Sequence, residues 1–530
     1  MQKLNLLKQT GVALAVAQSL VINTSSAATI NVNSGIDNGF LCTFRDAVET
    51  INAGSDQSNQ CSIDTSTGEL GVNDRIVFGS SLISLTAGEV LIESDVSINP
   101  GGNAVTIDVS ASDRSRVLNI NNAIVSLENT TLTGGNYFGF GGGIFANSFS
   151  TVTLINSTVT DNFAYFGGGI FLASSTLAIL GSSISENTVN GFGGGIEVIS
   201  GTATLINSHV SNNSADNSGG GIFANSSSEL FIFGSDVSNN SANSGGGIDI
   251  RGNSELSIGL STVSGNSTMS SIGGISILDS SATIDDSTVF GNSSDIGSSA
   301  ISVAVTGGAS ASDSSSLVLS NSTVSGNSGP SFGAIQAGGS SVNGGSTAIT
   351  LINSTVSKNV ATEDGPPGIY ASISSTLTLV NSIVAGNSGG MSSADITAPY
   401  AGRFNAAGNN VLGDSSKISA EAFIGVSPSN NNIIATSDGN RPTPITGILA
   451  PLSDNGGLTQ THALATGSPA VDAGDNAVCA AAPINNLDQR REPRPVGANC
   501  DIGAFEGEVE PDTTFFVVPL PNGKSVIFGL

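Results

Sequence analysis

The chain has no tryptophan, three methionines, four tyrosines and two histidines in 530 residues. His209 and His462 stand far apart, so neither a histidine-rich metal site nor a Ser/His/Asp triad can be assembled from the sequence. Basic residues are equally sparse: 15 Lys and Arg face 42 Asp and Glu, a formal charge of −27. That balance lacks the positive footprint nucleic acid requires, and it disfavours anionic membranes and polyanionic substrates. Long apolar runs are missing as well. Val12–Ile22 is too short to span a bilayer, and no later segment is longer and as apolar, so no transmembrane segment is expected in the mature chain.

What the N-terminus does have is a secretory pattern. Lys3 and Lys8 precede Val12–Ile22, and Ser25-Ser26-Ala27-Ala28 supplies small residues for cleavage. Residues 1–28 are read as a signal peptide cut after Ala27 or Ala28, with a secreted or outer-surface destination. The four cysteines form two local pairs, Cys42 with Cys61 and Cys479 with Cys500, and in an exported protein both are expected to be disulfides. Zinc is the weaker reading, because neither pair has a ligand spacing and no histidine lies in a short motif with a cysteine.

Glycine, serine and asparagine are abundant, and they recur. GGGI returns every 26 residues at Gly141–Ile144, Gly167–Ile170, Gly193–Ile196, Gly219–Ile222 and Gly245–Ile248. A second phrase, LINSTVTDN and its relatives, ends at Asn162, Asn213 and Asn359. A fixed period of this size is one supersecondary unit, copied and stacked. Helix formers are sparse, while apolar residues alternate after each GGG, as in Ile196-Glu197-Val198 and Ile248-Asp249-Ile250. Two or three short strands per unit, with Gly and Asn turns, predict one coil of a parallel β-helix, with coils ~4.8 Å apart. Asn162, Asn187, Asn213, Asn240, Asn266 and Asn292 then stack as a structural amide ladder. Beyond Ile301 the spacing stretches to 34 residues, and loops are expected within Gly307–Ser316 and Gly338–Thr347.

Near the front, Thr43-Phe44-Arg45-Asp46 reads as a capping-box start for a helix over Phe44–Ala53 that plugs the first coil. The segment Cys42-Thr-Phe-Arg-Asp-Ala-Val48, with the strand Asp74–Phe78, resembles the CSLREA module that opens secreted bacterial β-helix proteins; Thr43-Phe44 stands for Ser-Leu and Asp46 for Glu. Leu449–Gly457, Thr461–Leu464, Gly467–Asp475, Asp488–Arg490, Arg494-Pro495 and Cys500–Glu506 together resemble the choice-of-anchor Q domain. The repeats are similar to those of polymorphic outer-membrane adhesins, with Val or Ile at most positions where those carry the Phe of FxxN. These resemblances imply an exported bacterial protein that is a right-handed, single-stranded parallel β-helix with an N-terminal capping helix, all β apart from that helix. They imply no activity. The divisions expected are 29–116 for the cap and first coils, 117–400 for the repeats, 401–508 for the anchor Q-like region that closes the solenoid, and 509–530 for a tail. In that tail, Phe515–Pro521 and Lys524–Leu530 flank Asn522-Gly523 and read as a hairpin. It is either a sorting signal or a last strand pair.

Catalysis finds little support. A β-elimination lyase needs a Lys or Arg base beside a metal, yet only Arg251 and Lys358 occur between Val117 and Gly402, coils apart. Arg251, Asp249 and Glu255 read as an ion-paired surface group. Glu197 and Asp249 share an outward position two coils apart, ~10 Å along the axis, but Phe223 stands between them. Asp285 and Asp286 read as solvated acids on opposite faces, and both histidines as structural. No catalytic residue is assigned, and no cofactor is expected. Calcium stays open because Asp- and Asn-rich turns suit oxygen ligands, though the nonapeptide calcium roll is absent.

Binding is better supported. Phe145, Phe171, Glu197, Phe223 and Asp249 follow GGGI on the outward face, while Phe140, Phe166 and Phe192 recur just before it. Aromatics with adjacent acids are a way of holding sugar rings, so the first five are the candidate ligand contacts; the alternative is that these rings only pack on one another. The expectation is a secreted or surface-displayed, adhesin-like monomer that binds a glycan or cell surface. A polysaccharide lyase or glycoside hydrolase on the same scaffold is the alternative, and a structural spacer the third reading.

Overall fold

The computed structural model describes residues 27–507 except 38–40, 58–59, 67, 72, 100, 307–313, 339–344, 391–392, 400–402 and 430, and beyond them the strands Phe516–Pro519 and Ser525–Phe528. Residues 1–26, read above as most of a signal peptide, lie outside the described residues, as do most of the two expected loops, the segment 508–512 and Asn522-Gly523. Four sheets of 13, 15, 14 and 10 strands build the solenoid; their coil-to-coil pairing is parallel, Ser62–Asp64 joins one end antiparallel, and the 10-stranded sheet begins only at Asn136. One coil shows how they arise: Ile196–Ile199, Thr202–Ile206, His209–Ser211 and Ser214–Ala215 contribute one strand to each in turn. There are thus four strands per coil rather than two or three. The fourth is two residues long, too short to register as an alternating pattern.

Alternation decides what fills the interior. Ile196, Val198, Ala203, Leu205 and Val210 are fully buried, and each stacks in register on its equivalent in the next coil, as Ile196 does on Ile222 and Ile222 on Ile248. No coil could bury these residues alone, so stacking is the folding unit.

The corners hold polar ladders. The Asn187 backbone N–H and its Nδ2 both donate to Asn213 Oδ1 at 3.0 Å, and Nδ2 also reaches the Val159 carbonyl at 3.0 Å. Asn213, Asn240, Asn266 and Asn292 repeat the arrangement, which extends on through Asn327, Asn359 and Asn387. A serine ladder follows the adjoining corner: Ser182, Ser208 and Ser235 donate backbone N–H to the next serine hydroxyl at 3.0–3.2 Å. Burying these groups is tolerable because each finds a partner.

At the front, α1 (Phe44–Ala53) starts at a Thr43–Asp46 capping box and ends at Gly54 with φ 61°. Phe44, Ala47, Val48 and Ile51 are buried against the first coils, with the Phe44 ring 5.4 Å from that of Phe78. Arg45 donates to the Gly88 and Glu89 carbonyls, and Cys42–Cys61 is bridged. The capping helix therefore has the bounds its sequence implied.

The far end is built in two parts. Residues 403–434 of the anchor Q-like region supply the last strands of three sheets, and the rest of it folds back along the solenoid's flank. Ile383, Ala385 and Val411, outward on their coils, are buried under Ile448, Leu449, Ala470 and Ile502. Gln489 is inserted among Thr288, Thr323 and Thr459 through hydrogen bonds of 2.6–2.9 Å, and Asn321 donates to the Leu487 carbonyl. The Cys479–Cys500 disulfide lies within this layer, beside Asn353 and Asn381. Asp286, expected to be solvated, is buried here and pairs with Arg491 at 2.9 Å. Burial pushes its carboxyl up to about 7 despite that partner. Phe516–Pro519 and Ser525–Phe528 pair antiparallel as a hairpin.

Candidate functional site

The triple glycine shapes the outer furrow. Gly193 takes φ 66°, and a Cβ on it would lie 2.6 Å from the Glu197 Cβ; Cβ atoms on Gly194 and Gly195 would approach the Gly220 and Gly221 carbonyl oxygens of the next coil to 2.4 and 2.7 Å. The first glycine permits the turn and the other two permit close coil stacking. The bend lays the residue before GGG over the outward residue after it. Two rows result: Phe140, Phe166, Phe192 and Ser218 form a lip, and Phe145, Phe171, Glu197, Phe223 and Asp249 form the floor beneath.

The rings pack continuously. Phe140–Phe166, Phe166–Phe192 and Phe192–Phe223 have centroids 5.5, 6.1 and 4.7 Å apart, and Phe140 also meets Phe171 at 4.7 Å. Arg116 lies over Tyr137 and Phe145 at 4.2 and 4.8 Å, and Arg114 over Phe138 at 5.3 Å. The five floor residues were expected to face a ligand, but four are covered: Phe171 is 6% exposed, Glu197 and Phe223 3%, and Asp249 0%. Phe145 is half-buried. Open rings come from the lip and the short sheet beside it: Phe138 at 61%, Tyr165 at 47% and Phe140 at 43% exposed. The glycine bend was legible; that it folds the lip over the floor was not.

The two floor acids differ. Asp249 is held by Arg251 in a two-pronged pair at 2.9 and 2.7 Å, and Arg251 also donates to Ser218 Oγ at 2.8 Å. Glu197 accepts from the Gly167 backbone, while its Oε2 has no partner among the described residues. Burial pushes its carboxyl up to about 8, so it is uncharged at neutral pH. One neutral acid and one neutralised acid, both covered, do not make the converging pair that glycoside hydrolysis needs.

On later coils of the fourth sheet, beyond the exposed rings, lies a shallow groove of about 570 Å³ lined by residues from Ser214 to Asp295. Its wall continues the register of Phe163 and Thr188 as Ser214, Ser241 and Ser267. Outside that line stand Tyr165, Asn190, Asp216, Asn243 and Met269, all exposed. Rings thus give way to hydroxyls, amides and a carboxylate at one set per coil, ~4.8 Å apart.

Among the described residues, no three His, Cys, Asp or Glu side chains converge as a metal site. His209 is exposed and sits 3.1 Å from Asp236. His462 is buried and meets Ser325, a contact across 137 residues that no local motif announces.

A family model described as "Right handed beta helix region" matches residues 142–308 and 195–419, which together span more than half of the 530 residues. The crystal structure of pectate lyase Pel9A aligns with 73% of this chain and 88% of its own at 14% identity, with a TM-score of 0.42. None of the curated proteins matches the sequence. With its four sheets and stacked coils, the chain belongs to the right-handed β-helix region family.

Proposed function

We propose that this β-helix is an exported, adhesin-like protein that binds a neutral glycan along the lip of its early coils and the groove beyond it, without catalysis there. One observation carries the reading: the exposed rings Phe138, Phe140 and Tyr165 lead directly onto rows of hydroxyl and amide side chains in coil register. Rings stack on the apolar faces of sugars, and the polar rows offer hydrogen bonds at a regular rise. The charge of −27 favours a neutral partner over a polyanion. Export is supported by the two disulfides and by the signal-like N-terminus, and no helix among the described residues is long and apolar enough to cross a membrane. The resemblance to CSLREA and choice-of-anchor Q proteins agrees with surface display, and the tail after residue 508 is the segment to delete in testing attachment.

Binding is favoured over hydrolysis because Glu197 and Asp249 are covered and Asp249 already has its cation. The test is retention of the mature protein on a panel of soluble and insoluble polysaccharides, with and without calcium, while released sugar ends are counted. The expected result is retention without new ends, reduced at least about tenfold by Phe140→Ala with Tyr165→Ala, a loss of roughly 1.4 kcal/mol. New sugar ends, or unchanged retention in that variant, would remove the proposal.

A further inference from the structure

Where the C-terminal layer lies on the third sheet, the two border an open apolar pocket of about 370 Å³ walled by Phe290, Ser325, Lys358, Leu449, Leu452 and His462. His462 Nε2 is 2.8 Å from Ser325 Oγ, and His462 Nδ1 is 2.7 Å from the Ala450 carbonyl oxygen. A carbonyl can only accept, so Nδ1 carries the proton and Nε2 presents its lone pair to the Ser325 hydroxyl. Burial, with Lys358 nearby, holds the imidazole below its usual range, so it is a neutral base at pH 7. Ser325 and His462 are each 2% exposed, yet both belong to the pocket wall. Beside the hydroxyl the backbone leaves room: a Cβ on Gly326 would meet nothing within 4 Å. Lys358 is one of two basic residues between Val117 and Gly402, and it stands at this pocket.

Ser325 is a repeat serine, and the contact that distinguishes it comes from outside the coil. In register along the third sheet most of its equivalents are also serine, among them Ser238, Ser264 and Ser357, while Phe290 and Ala385 show that a coil can form without the hydroxyl; what sets Ser325 apart is the His462 ring against it. The coil supplies the serine and the folded-back layer supplies the base.

We propose that Ser325, His462 and Lys358 form an acyl-transfer site for uncharged esters of small apolar acids. Ser325 Oγ bonds to the ester carbonyl carbon as its proton passes to His462 Nε2, and the Lys358 ammonium balances the charge gathering on the carbonyl oxygen. The ester C–O bond then breaks, and His462 returns the proton to the departing alcohol. Water attacks the acyl-serine, giving its proton to the same nitrogen, which passes it to Ser325 as the acid leaves. A main-chain carbonyl stabilises the imidazolium less than a carboxylate would, so turnover is slow.

The test uses the full disulfide-bonded chain with two probes: a fluorophosphonate and p-nitrophenyl acetate. The expected outcome is one phosphonyl adduct, mapped by peptide mass spectrometry to Ser325. Ester turnover should fall by at least about 100-fold in Ser325→Ala and in His462→Gln, with the serine variant still unfolding in one cooperative transition. A full-length chain that takes up no adduct at Ser325, or an alanine variant that turns over ester at the parent rate, overturns the proposal. The adduct is read on the unsubstituted protein, so the decision does not depend on how a variant folds.

Discussion

Asn387 Nδ2 donates to Asp395 Oδ1 over 2.9 Å, and at that bond the asparagine ladder passes from amides to a carboxylate. Every earlier rung finds its acceptor in the next coil; the last one takes Asp395, whose Oδ2 lies 2.8 Å from Lys417 Nζ. Lys417 also donates to the Asn387 carbonyl at 2.6 Å, so one cation closes both ends of the final rung. Both charged side chains are buried. Removing one partner strands the other, and Lys417→Met is expected to cost about 3–5 kcal/mol in urea unfolding. Pairing it with Asp395→Asn restores an uncharged rung and regains part of that loss. Equal unfolding midpoints for Lys417→Met and the parent would show that this ion pair does not secure the ladder.

The buried carboxyls give stability a definite pH sense. Glu197 titrates at about 8 in the fold against an ordinary value of 4.5, so between those values the folded state holds a proton the unfolded state has lost. Stability therefore falls as pH rises from 4.5 and levels off above about 8, each unit being about 1.4 kcal/mol before relaxation is allowed for. Asp286 and Glu506, both raised to about 7, act in the same direction over a narrower window. Glu197→Gln mimics the protonated acid: it should match the parent near pH 4.5 and melt higher at pH 8.5, leaving the Asp286 and Glu506 share in place. A parent whose melting temperature rises from pH 5 to 8 contradicts the assignment.

Lip and floor aromatics should separate cleanly in stability. Phe171 and Phe223 are covered, so alanine at either is expected to cost about 3–5 kcal/mol. Phe138 and Tyr165 are largely open, and alanine there should change stability by roughly 0.5 kcal/mol or less. Chemical denaturation of the four single variants checks the division, and a stable Phe223→Ala would mean that the lip does not seal the floor.

Much of this architecture is written locally. The 26-residue period, the alternation after GGG and the recurrent Asn place the coil, its inward residues and its ladder, because each depends on neighbours one repeat away. The capping helix was legible for the same reason, since Thr43 and Asp46 meet across three residues. What sequence does not expose is contact across many coils. Ser325 with His462, Asp286 with Arg491 and Gln489 with Thr288 join segments 137 to 205 positions apart. One signal was nonetheless available. Outward positions that carry Ser, His, Asp or Thr on earlier coils become Ile383 and Val411, an apolar change that marks a covered flank. Of the candidate site, the glycine bend and the clustering of rings were legible, but the fold of the lip over the floor, which covers Phe171 and Phe223 and leaves Phe140 and Tyr165 open, was not.

The two expected cleavage points differ in what they leave for Asp74. This carboxylate is fully buried, and it accepts from the Ala28 backbone nitrogen at 3.2 Å and the Gly71 nitrogen at 2.7 Å. Cleavage after Ala27 would turn the Ala28 nitrogen into an ammonium facing a buried carboxylate, strengthening a contact already in place. Cleavage after Ala28 would delete that donor, although Thr29 would keep its place in register beside Arg75. Ala27 contributes one isolated bridge to Glu69, which either cut removes. On the reading that the N-terminus is a leader removed on export, the start that keeps this contact is Ala28, and mass spectrometry of the first peptide checks it. A chain made to begin at Thr29 should be less stable by about 1–3 kcal/mol, a difference that shrinks when both chains carry Asp74→Asn. If the two starts melt together, Asp74 has no part in setting the mature end.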